Sequence, residues 1–136
     1  MMFTISSSPI DRNGVIALVE SPSAGALVVF EGRVRNHHLG KEVEALSYSA
    51  HPVLAEAEGA KLVQETREKF PQVEGLAATH RVGERLPVGE IAVVIAASSP
   101  HRPEAFAACD YLAQQLKNRL PVWKEEHYQD QSSDWT

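Results

Sequence analysis

The sequence predicts an α+β fold, because short valine-rich strand patterns are interspersed with two long helical patterns. Of the 136 residues, 43% are hydrophobic and 23% are charged, which suits one compact core and leaves too little chain for two ordinary domains. Gly and Pro residues separate the segments, and no repeat or low-complexity tract interrupts them. We therefore expect a single domain over residues 1–136, with a polar tail at about 129–136.

The first strong strand pattern is the run ALVVFEGRVR, which follows the turn-like SPSAG and alternates between two faces. Before it, residues 3–7 predict a strand and residues 10–19 a short helix that Asp11 caps. The alternation puts Leu27, Val29, Glu31, Arg33 and Arg35 on one face, and Val28, Phe30, Gly32 and Val34 on the other. Two arginines are therefore expected to point the same way.

Proline signals frame the first long helix. The run VEALSYSA is typical of a strand, and Pro52 after it suits the first turn of a helix over residues 52–69. Pro71 ends this helix because proline cannot continue the hydrogen-bond ladder. Its predicted buried stripe has spacings of about three or four residues. The stripe consists of Val53, Ala57, Ala60, Val63 and Phe70.

The second half predicts two strands, another long helix and a last strand. Strands at about 75–82 and 90–98 flank the turn-rich GERLPVG, and IAVVIAASS is expected to be central because it is apolar at consecutive positions. A helix then begins near Pro100 or Pro103, with Ser98 or Ser99 as its cap. Its predicted stripe is Phe106, Cys109, Leu112, Ala113 and Leu116. After Pro121, VWKEEHY predicts a short strand, and the tail QDQSSDWT is expected to be mobile unless a partner holds it.

The acidic balance of the chain argues against several partners. A net charge of −5 and a pI near 5.6 disfavour general attraction to nucleic acid or to an anionic membrane. The single cysteine, Cys109, cannot form an internal disulfide, which fits a reducing compartment. No secretory signal is present at the N-terminus, and the longest apolar run is far below the roughly 20 residues of a membrane span. We expect a cytoplasmic protein with no cofactor and no metal, because its histidines show no ligand spacing.

The start of the second long helix is a candidate anion site. His101 and Arg102 lie where unpaired backbone N–H groups and the helix dipole favour phosphate or carboxylate. Arginine adds a planar, two-pronged donor. The alternative is structural: Arg102 would pair with Glu104, and His101 would cap the turn.

Two further cationic pairs have two interpretations each. Arg33 and Arg35 are either a binding pair beside Gly32 or a solvated strand edge. Lys117, at the end of the helix, and Lys124, beyond it, either complement the dipole and form ion pairs or act in proton transfer and covalent catalysis. The residues alone leave both interpretations open.

Other reactive residue types are assigned structural roles. Cys109 falls on the apolar stripe and is expected to be packed rather than nucleophilic. His80 and Arg81 end a strand before a turn, where an orienting or structural role is favoured. The segment HLGK is not a phosphate loop, because the Walker pattern needs a longer glycine-framed segment.

Three stretches together resemble the large, catalytic subunit of molybdopterin synthase: GALVVFEGRVRNHHLGKEV, THRVGERLPVGEIAVVIAASSPHRPEAFAACDYL and LKNRLPVWKEEHY. They occur in the family's order and spacing and cover about residues 25–128. Each stretch alone is weak evidence, whereas the combination is specific. The resemblance implies an α/β hammerhead-like fold with a mixed or antiparallel sheet and two main helices.

The resemblance also implies a sulfurtransferase of molybdenum cofactor biosynthesis. Such an enzyme converts cyclic pyranopterin monophosphate into molybdopterin by installing the dithiolene sulfurs. The sulfur would arrive as the C-terminal thiocarboxylate of a small ubiquitin-like subunit, whose Gly-Gly tail enters a pocket of the large subunit. The implied assembly is a homodimer of the large subunit with one small subunit at each end, a heterotetramer.

By matching motif, Lys117 and Lys124 are the expected catalytic residues. The implied substrate-binding positions are Arg33, Val34, Arg35, His101, Arg102, Lys117, Lys124, Glu125 and Glu126. Arg35, His101 and Arg102 would hold the anionic substrate. Lys117 would assist attack at the thiocarboxylate carbon or protonate the leaving oxygen, and Lys124 would stabilise developing negative charge.

The sequence departs from the family pattern at three positions. Ser49 and His51 stand where Glu and Tyr are common, and Glu125 stands where a second basic residue is common. Two other functions would use the same cations. A non-catalytic module for an anionic ligand or a ubiquitin-like protein would need no turnover, and a phosphoesterase or phosphate-binding enzyme would need no protein sulfur donor.

Overall fold

The computed structural model describes residues 2–136, which form three helices and nine strands. In chain order the elements are β1 (Met2–Ser6), α1 (Arg12–Ala17), β2 (Ala26–Arg33), β3 (His37–His38), β4 (Lys41–Ala50), α2 (Pro52–Lys69), β5 (Gly75–Arg81), β6 (Gly83–Pro87), β7 (Ile91–Ser99), α3 (Arg102–Arg119), β8 (Val122–Tyr128) and β9 (Ser133–Trp135). Asp11 caps α1 as predicted, because its carboxylate accepts a hydrogen bond from the Gly14 N–H at 3.1 Å. The prolines also bracket α2 as expected.

Two sheets form the framework. The first has the strand order β1-β5-β7-β2, in which β1 runs parallel to β5 and the other pairs are antiparallel. The second has the order β3-β4-β8-β9, and β6 also pairs with β4. This mixed pairing, together with two helices of 18 residues, confirms the predicted α+β class.

Both faces of the first sheet are covered. The long helices α2 and α3 pack on one face, and the short α1 packs on the other. Leu62, Leu76, Ile95 and Leu112 are fully enclosed in the cluster beneath the long helices. Strand β7 pairs on both sides and is enclosed above and below, which explains its continuous apolar run and confirms its predicted central position.

The buried faces of the long helices differ in part from the predicted stripes. In α2, Val53 is 71% exposed and Ala57 and Ala60 are exposed as well, so these three predictions are wrong. In α3, Phe106 is 59% exposed instead of buried. The residues actually buried are Ala55, Gly59, Leu62, Val63 and Thr66 in α2, and Ala105, Ala108, Cys109, Leu112 and Leu116 in α3.

Close approach of α2 to the sheet explains its buried face. Ala55 and Gly59 are small, and the ring of Phe3 from β1 fills the space where a side chain at Gly59 would lie. Thr66 is accommodated because its hydroxyl donates to the Leu62 carbonyl oxygen at 2.7 Å. The stripe prediction counted apolar side chains at helical spacings and therefore passed over Gly59 and Thr66, which this close contact accommodates.

The start of α3 also differs from the prediction, because neither serine caps the helix. His101 occupies the N-cap position and makes no capping hydrogen bond with its side chain. The Ser98 hydroxyl donates to the Val19 carbonyl oxygen at 2.5 Å, and the Ser99 hydroxyl donates to the His101 carbonyl oxygen. Both serines are fully buried at the end of β7, where they satisfy neighbouring backbone instead.

Two segments predicted to be irregular form strands. The segment GERLPVG contains β6, which pairs with β4, and is therefore more than a turn. The tail folds back as β9 on β8, with Trp135 opposite Glu125, so part of it is regular structure, and its mobility stays a prediction. Across residues 2–136, no helix is long and apolar enough to cross a membrane.

Candidate active site

A cavity of about 520 Å³ opens between the end of α3, the first sheet and β8. Its apolar wall includes Phe30, Val93, Ile95, Leu116, Leu120 and Val122. Its polar lining consists of Tyr48, His80, Asp110, Gln114, Lys117, Lys124 and Thr136. The structure therefore brings together the two lysines that the sequence singles out.

The last two turns of α3 direct one cation into this cavity. Asp110, Gln114 and Lys117 follow at helical spacings of about four and three residues and share one face of the helix. Arg119 points the other way, since its guanidinium donates to both carboxylate oxygens of Glu65 on α2, at 2.7 and 3.0 Å. One basic residue of this helix end is thus structural, and the other lines the cavity.

Strand β8 supplies the second cation. Lys124 lies opposite Tyr48 of β4 in the second sheet. The Thr136 backbone N–H donates to the Lys124 carbonyl oxygen at 2.9 Å, and its hydroxyl donates to the Glu126 carboxylate at 3.4 Å. The end of the tail therefore forms part of the cavity wall beside Lys124.

Tyr48 and His80 join the two sheets at the cavity. Their rings meet edge to face, with centroids 4.9 Å apart and planes at 82°. Burial, and secondly the negative charge of Glu126, raises the pKa of Tyr48 to about 12, so the phenol stays protonated. Burial lowers the pKa of His80, so this imidazole is neutral near neutral pH. Sequence reasoning gave His80 a structural role and missed Tyr48, because no local pattern shows that β4 and β5 bring them together.

The lysines carry the positive charge of the cavity. Within residues 2–136, neither Lys117 nor Lys124 forms an ion pair. Asp110 is the one carboxylate side chain among the described lining residues. Two lysines without ion-pair partners and Asp110 therefore line the cavity, and the buried carboxylate of Glu126 lies near Tyr48 and Thr136 at its wall.

The predicted residues after β2 lie elsewhere. The guanidinium of Arg33 donates to Glu31 at 2.7 and 2.9 Å, and Glu31 also contacts Arg12 of α1. Since Arg12 approaches from the α1 side and the cavity is on the α3 side, Arg33 faces away from the cavity of its own chain. Val34 is 3% exposed within a small apolar cluster, and Arg35 is exposed beyond the end of the strand.

His101 and Arg102 are also remote from the lysines. They stand at the start of α3, and Lys117 is in its last turn. About 15 helical residues at about 1.5 Å each put the Cα atoms of Arg102 and Lys117 about 22 Å apart. One chain therefore does not bring the His-Arg pair and the lysine pair into one cavity.

The two glutamates of β8 face different environments. Glu125 faces a smaller cavity of about 190 Å³ and approaches His127 at 3.9 Å. Glu126 is only 5% exposed and lies 3.5 Å from the Nδ1 atom of His38. Of the residues that depart from the family pattern, His51 caps α2 by accepting from the Leu54 N–H at 3.3 Å.

The arrangement defines a class of protein. A partly apolar cavity with two unpaired lysines and a neutral imidazole suits an enzyme that binds an anionic substrate and moves protons on it. Among the residues described, no group of three or more His, Cys, Asp or Glu side chains is arranged to hold a metal ion.

Comparison with known proteins identifies the family. Residues 5–119 match the MoaE protein family, and the chain belongs to it. The chain is 41% identical over 133 residues to the molybdopterin synthase catalytic subunit of Nostoc sp., covering 98% of this chain and 80% of that protein. It is 44% identical over 111 residues to that of Pyrococcus abyssi, covering 82% of this chain and 74% of that protein.

A solved structure gives the same result for the fold. The crystal structure of molybdopterin synthase from Staphylococcus aureus matches with a TM-score of 0.92 and 36% identity, covering 98% of this chain and 96% of that chain. The family resemblance, the fold and the prediction of a sulfur-transferring enzyme of molybdenum cofactor biosynthesis are thus confirmed.

Proposed function

We propose that the lysine-lined cavity is the place where this enzyme transfers sulfur to cyclic pyranopterin monophosphate. The observation that carries the proposal is that Lys117 and Lys124, which come from separate elements, share one cavity without ion-pair partners. The substrate carries a phosphate, and two lysines without ion-pair partners in a chain of net charge −5 provide the positive charge that attracts it.

The two lysines take different roles in this proposal. Lys117, on the rigid end of α3, assists attack at the thiocarboxylate carbon or protonates the leaving oxygen. Lys124, held in the paired strand β8, stabilises the negative charge that develops on the reacting oxygen. Ammonium groups in a partly apolar cavity act more strongly than they would in water, because fewer water molecules screen them.

The sulfur donor is the finer part of the proposal. The relatives are named as catalytic subunits, a term that implies a further subunit. We assign that role to a small ubiquitin-like carrier whose C-terminal Gly-Gly thiocarboxylate reaches the cavity. A cytoplasmic location, expected from composition, stays a prediction.

A second copy of this chain would explain the remote cations. His101 and Arg102 lie about 22 Å along α3 from Lys117, so they can serve the same substrate only if another copy presents them. A homodimer, capped by two small subunits as a heterotetramer, provides that arrangement. In the same way, Arg33 and Arg35 could reach the substrate only from an assembled surface, since Arg33 faces away from the cavity of its own chain.

Turnover with matched variants tests the site. Purified chain, cyclic pyranopterin monophosphate and a thiocarboxylated small subunit are combined, and dithiolene product is measured. Lys117→Ala is expected to lose about 10²–10³-fold in rate, the usual effect of a removed acid–base or charge-stabilising group. Arg119→Ala is the control. It also removes a cation at the end of α3, but the side chain of Arg119 faces α2 instead of the cavity. Full activity in Lys117→Ala would refute the assignment.

Two outcomes separate the rival functions. If folded wild-type chain binds the substrate and small subunit without turnover, the chain is a non-catalytic binding module. If the chain hydrolyses the phosphate ester of the substrate in the absence of a thiocarboxylated partner, the phosphoesterase alternative is favoured.

A complementation experiment tests the two-copy site. Lys117→Ala and Arg102→Ala chains with different tags are co-expressed, and mixed dimers are purified. If each site combines residues of two copies, a mixed dimer retains one intact site and about half of the wild-type activity, while each parent dimer is inactive. Mixed dimers no more active than their parents would contradict the shared site.

A further inference from the structure

His80 has a geometry that the assigned lysine chemistry does not use. It belongs to β5, pairs in register with Ile5 of β1 and Val93 of β7, and turns its ring toward the cavity. The edge-to-face contact with Tyr48 fixes one side of the ring. The ring is therefore held between the two sheets at the cavity wall.

The hydrogen bond of the ring decides its tautomer. The Nδ1 atom lies 2.8 Å from the Arg81 carbonyl oxygen, which can only accept. Nδ1 must therefore carry the proton, and in the neutral ring Nε2 keeps its lone pair. Within residues 2–136, Nε2 makes no hydrogen bond, and His80 is one of the residues that line the cavity.

The other titratable groups around the cavity do not provide an equivalent base. From α3 come Asp110 and Lys117, from β8 comes Lys124, and from β4 comes Tyr48. The lysine side chains serve as hydrogen-bond donors in the proposed reaction, and the phenol of Tyr48 stays protonated. Asp110 is exposed, and a solvated carboxylate is a much weaker base than a neutral imidazole.

The proposed function contains a step that needs such a base. Once a thiocarboxylate sulfur has bonded to a substrate carbon, the acyl carbon of the carrier remains attached to that sulfur as a thioester. Release requires a water oxygen to bond to the acyl carbon, the acyl carbon–sulfur bond to break, and the electron pair of that bond to stay on the substrate sulfur. The first products are a carrier carboxylic acid and a substrate thiolate, and the attacking water gives up one of its two protons to a base as it bonds. The carboxylic acid then loses the other proton to solvent, because a carboxyl group is ionised at neutral pH.

We propose that His80 is the general base that takes this proton at Nε2 during hydrolysis of the thioester between carrier and substrate. Lys117 and Lys124 stabilise the oxyanion that forms when the water attacks. The Nδ1–H group of His80 keeps its hydrogen bond to the Arg81 carbonyl oxygen throughout. The proton then passes from Nε2 to solvent or to the substrate thiolate, which regenerates the neutral ring. This inference rests on the proposed sulfur transfer and adds a residue and a step to it.

The test uses two conservative variants in a single-turnover reaction of the chain with thiocarboxylated small subunit and substrate. His80→Asn retains a donor near Nδ1 for the Arg81 carbonyl oxygen and has no basic nitrogen. His80→Gln places an amide near Nε2 and serves if the first variant fails to fold. His127→Asn is the control, because this half-buried histidine of β8 bonds to Ser47 outside the cavity.

Intact mass spectrometry follows the covalent carrier–substrate conjugate. In a folded His80 variant, we expect the conjugate to form at the wild-type rate and to decay about 10²-fold more slowly, so that it accumulates. Added hydroxylamine, which attacks thioesters without a general base, should release the conjugate and restore its decay. His127→Asn should behave as wild type.

Each outcome decides a separate claim. Wild-type decay of the conjugate in a folded His80 variant, alongside normal wild-type turnover, overturns the role of His80 and leaves the proposed function standing. Equal loss of conjugate formation and decay shows a merely structural role and also overturns it. Absence of any product or conjugate with wild-type chain and a competent partner refutes the proposed function itself, and the His80 step with it.

Discussion

Substituting Gly59 by Ala tests the closest contact between a helix and a sheet in this fold. Gly59 is buried in α2 against the ring of Phe3 in β1. An added Cβ would lie 2.5 Å from the Cε2 atom of Phe3 and closer still to Cγ and Cδ2. Carbon atoms pack at about 3.5–4.0 Å, so the helix or the strand must move by about 1 Å or more.

The expected magnitude is a difference of two opposing effects. Overpacking of a tight core costs about 1–3 kcal/mol, and the overlap with a buried aromatic ring favours the upper half of that range. Ala instead of Gly in a helix stabilises by about 1 kcal/mol. Gly59→Ala should therefore lower the free energy of unfolding by about 1–2 kcal/mol, or the Tm by roughly 3–8 °C for a chain of this length.

Urea and thermal unfolding of matched variants provide the assay. Ala60→Gly, at the exposed neighbouring position, measures helix propensity alone and should cost about 1 kcal/mol. In a Phe3→Leu background the overlap shrinks, so the additional cost of Gly59→Ala should fall toward zero or reverse. If Gly59→Ala stabilises the unmodified chain by about 1 kcal/mol, as at an exposed site, the close α2–β1 contact is refuted.

Three smaller perturbations have effects whose direction follows from burial. Burial holds the pKa of His80 below its usual 6.5, so the imidazole takes up a proton more readily in the unfolded chain, and the free energy of unfolding falls as the pH drops below about 6.5. Urea titrations between about pH 7 and 5 should therefore show a smaller loss of stability for His80→Asn than for the wild type. An equal loss in both would show that His80 is not the cause. Ser98→Ala leaves the Val19 carbonyl oxygen without its buried donor and should cost about 1–3 kcal/mol in urea unfolding, whereas a change under about 0.5 kcal/mol would show the bond to be unimportant. Burial raises the pKa of Cys109 to about 12, so a thiol reagent at about pH 8 should label it only as fast as the chain opens, and much faster in urea. Rapid labelling of the native chain would show that Cys109 is not packed in the core.

The two lysines of the cavity show how far local sequence reasoning reaches. Lys117 follows Asp110 and Gln114 at helical spacings, so its place on the cavity face of α3 is a property of the helix itself. The family resemblance singled out Lys124 by its motif, but only the pairing of β8 with β4 shows that it faces the same cavity as Lys117. The cation positions of one chain were therefore predictable, and their meeting was not.

The remaining site positions depended on distant contacts. A guanidinium finds its partner in space, and Glu31 holds Arg33 on the side of α1 away from the cavity. The length of α3 separates Arg102 from Lys117, although both belong to the same helix. Burial between two sheets lowers the pKa of His80 and places its ring against Tyr48, which no pattern around this strand-ending residue indicates.

The sequence by itself determined the order of the three helices and of six strands, β1, β2, β4, β5, β7 and β8. It also determined the proline boundaries of α2, the central place of β7 and the acidic balance of the chain. Backbone stereochemistry and side-chain periodicity act over a few residues, so they can be read locally. Tertiary structure decided that GERLPVG forms a strand, that the tail returns as β9 and that α2 buries its small residues. Each of these depends on a partner surface many residues away, because strand pairing and close packing are set by what the element meets in space.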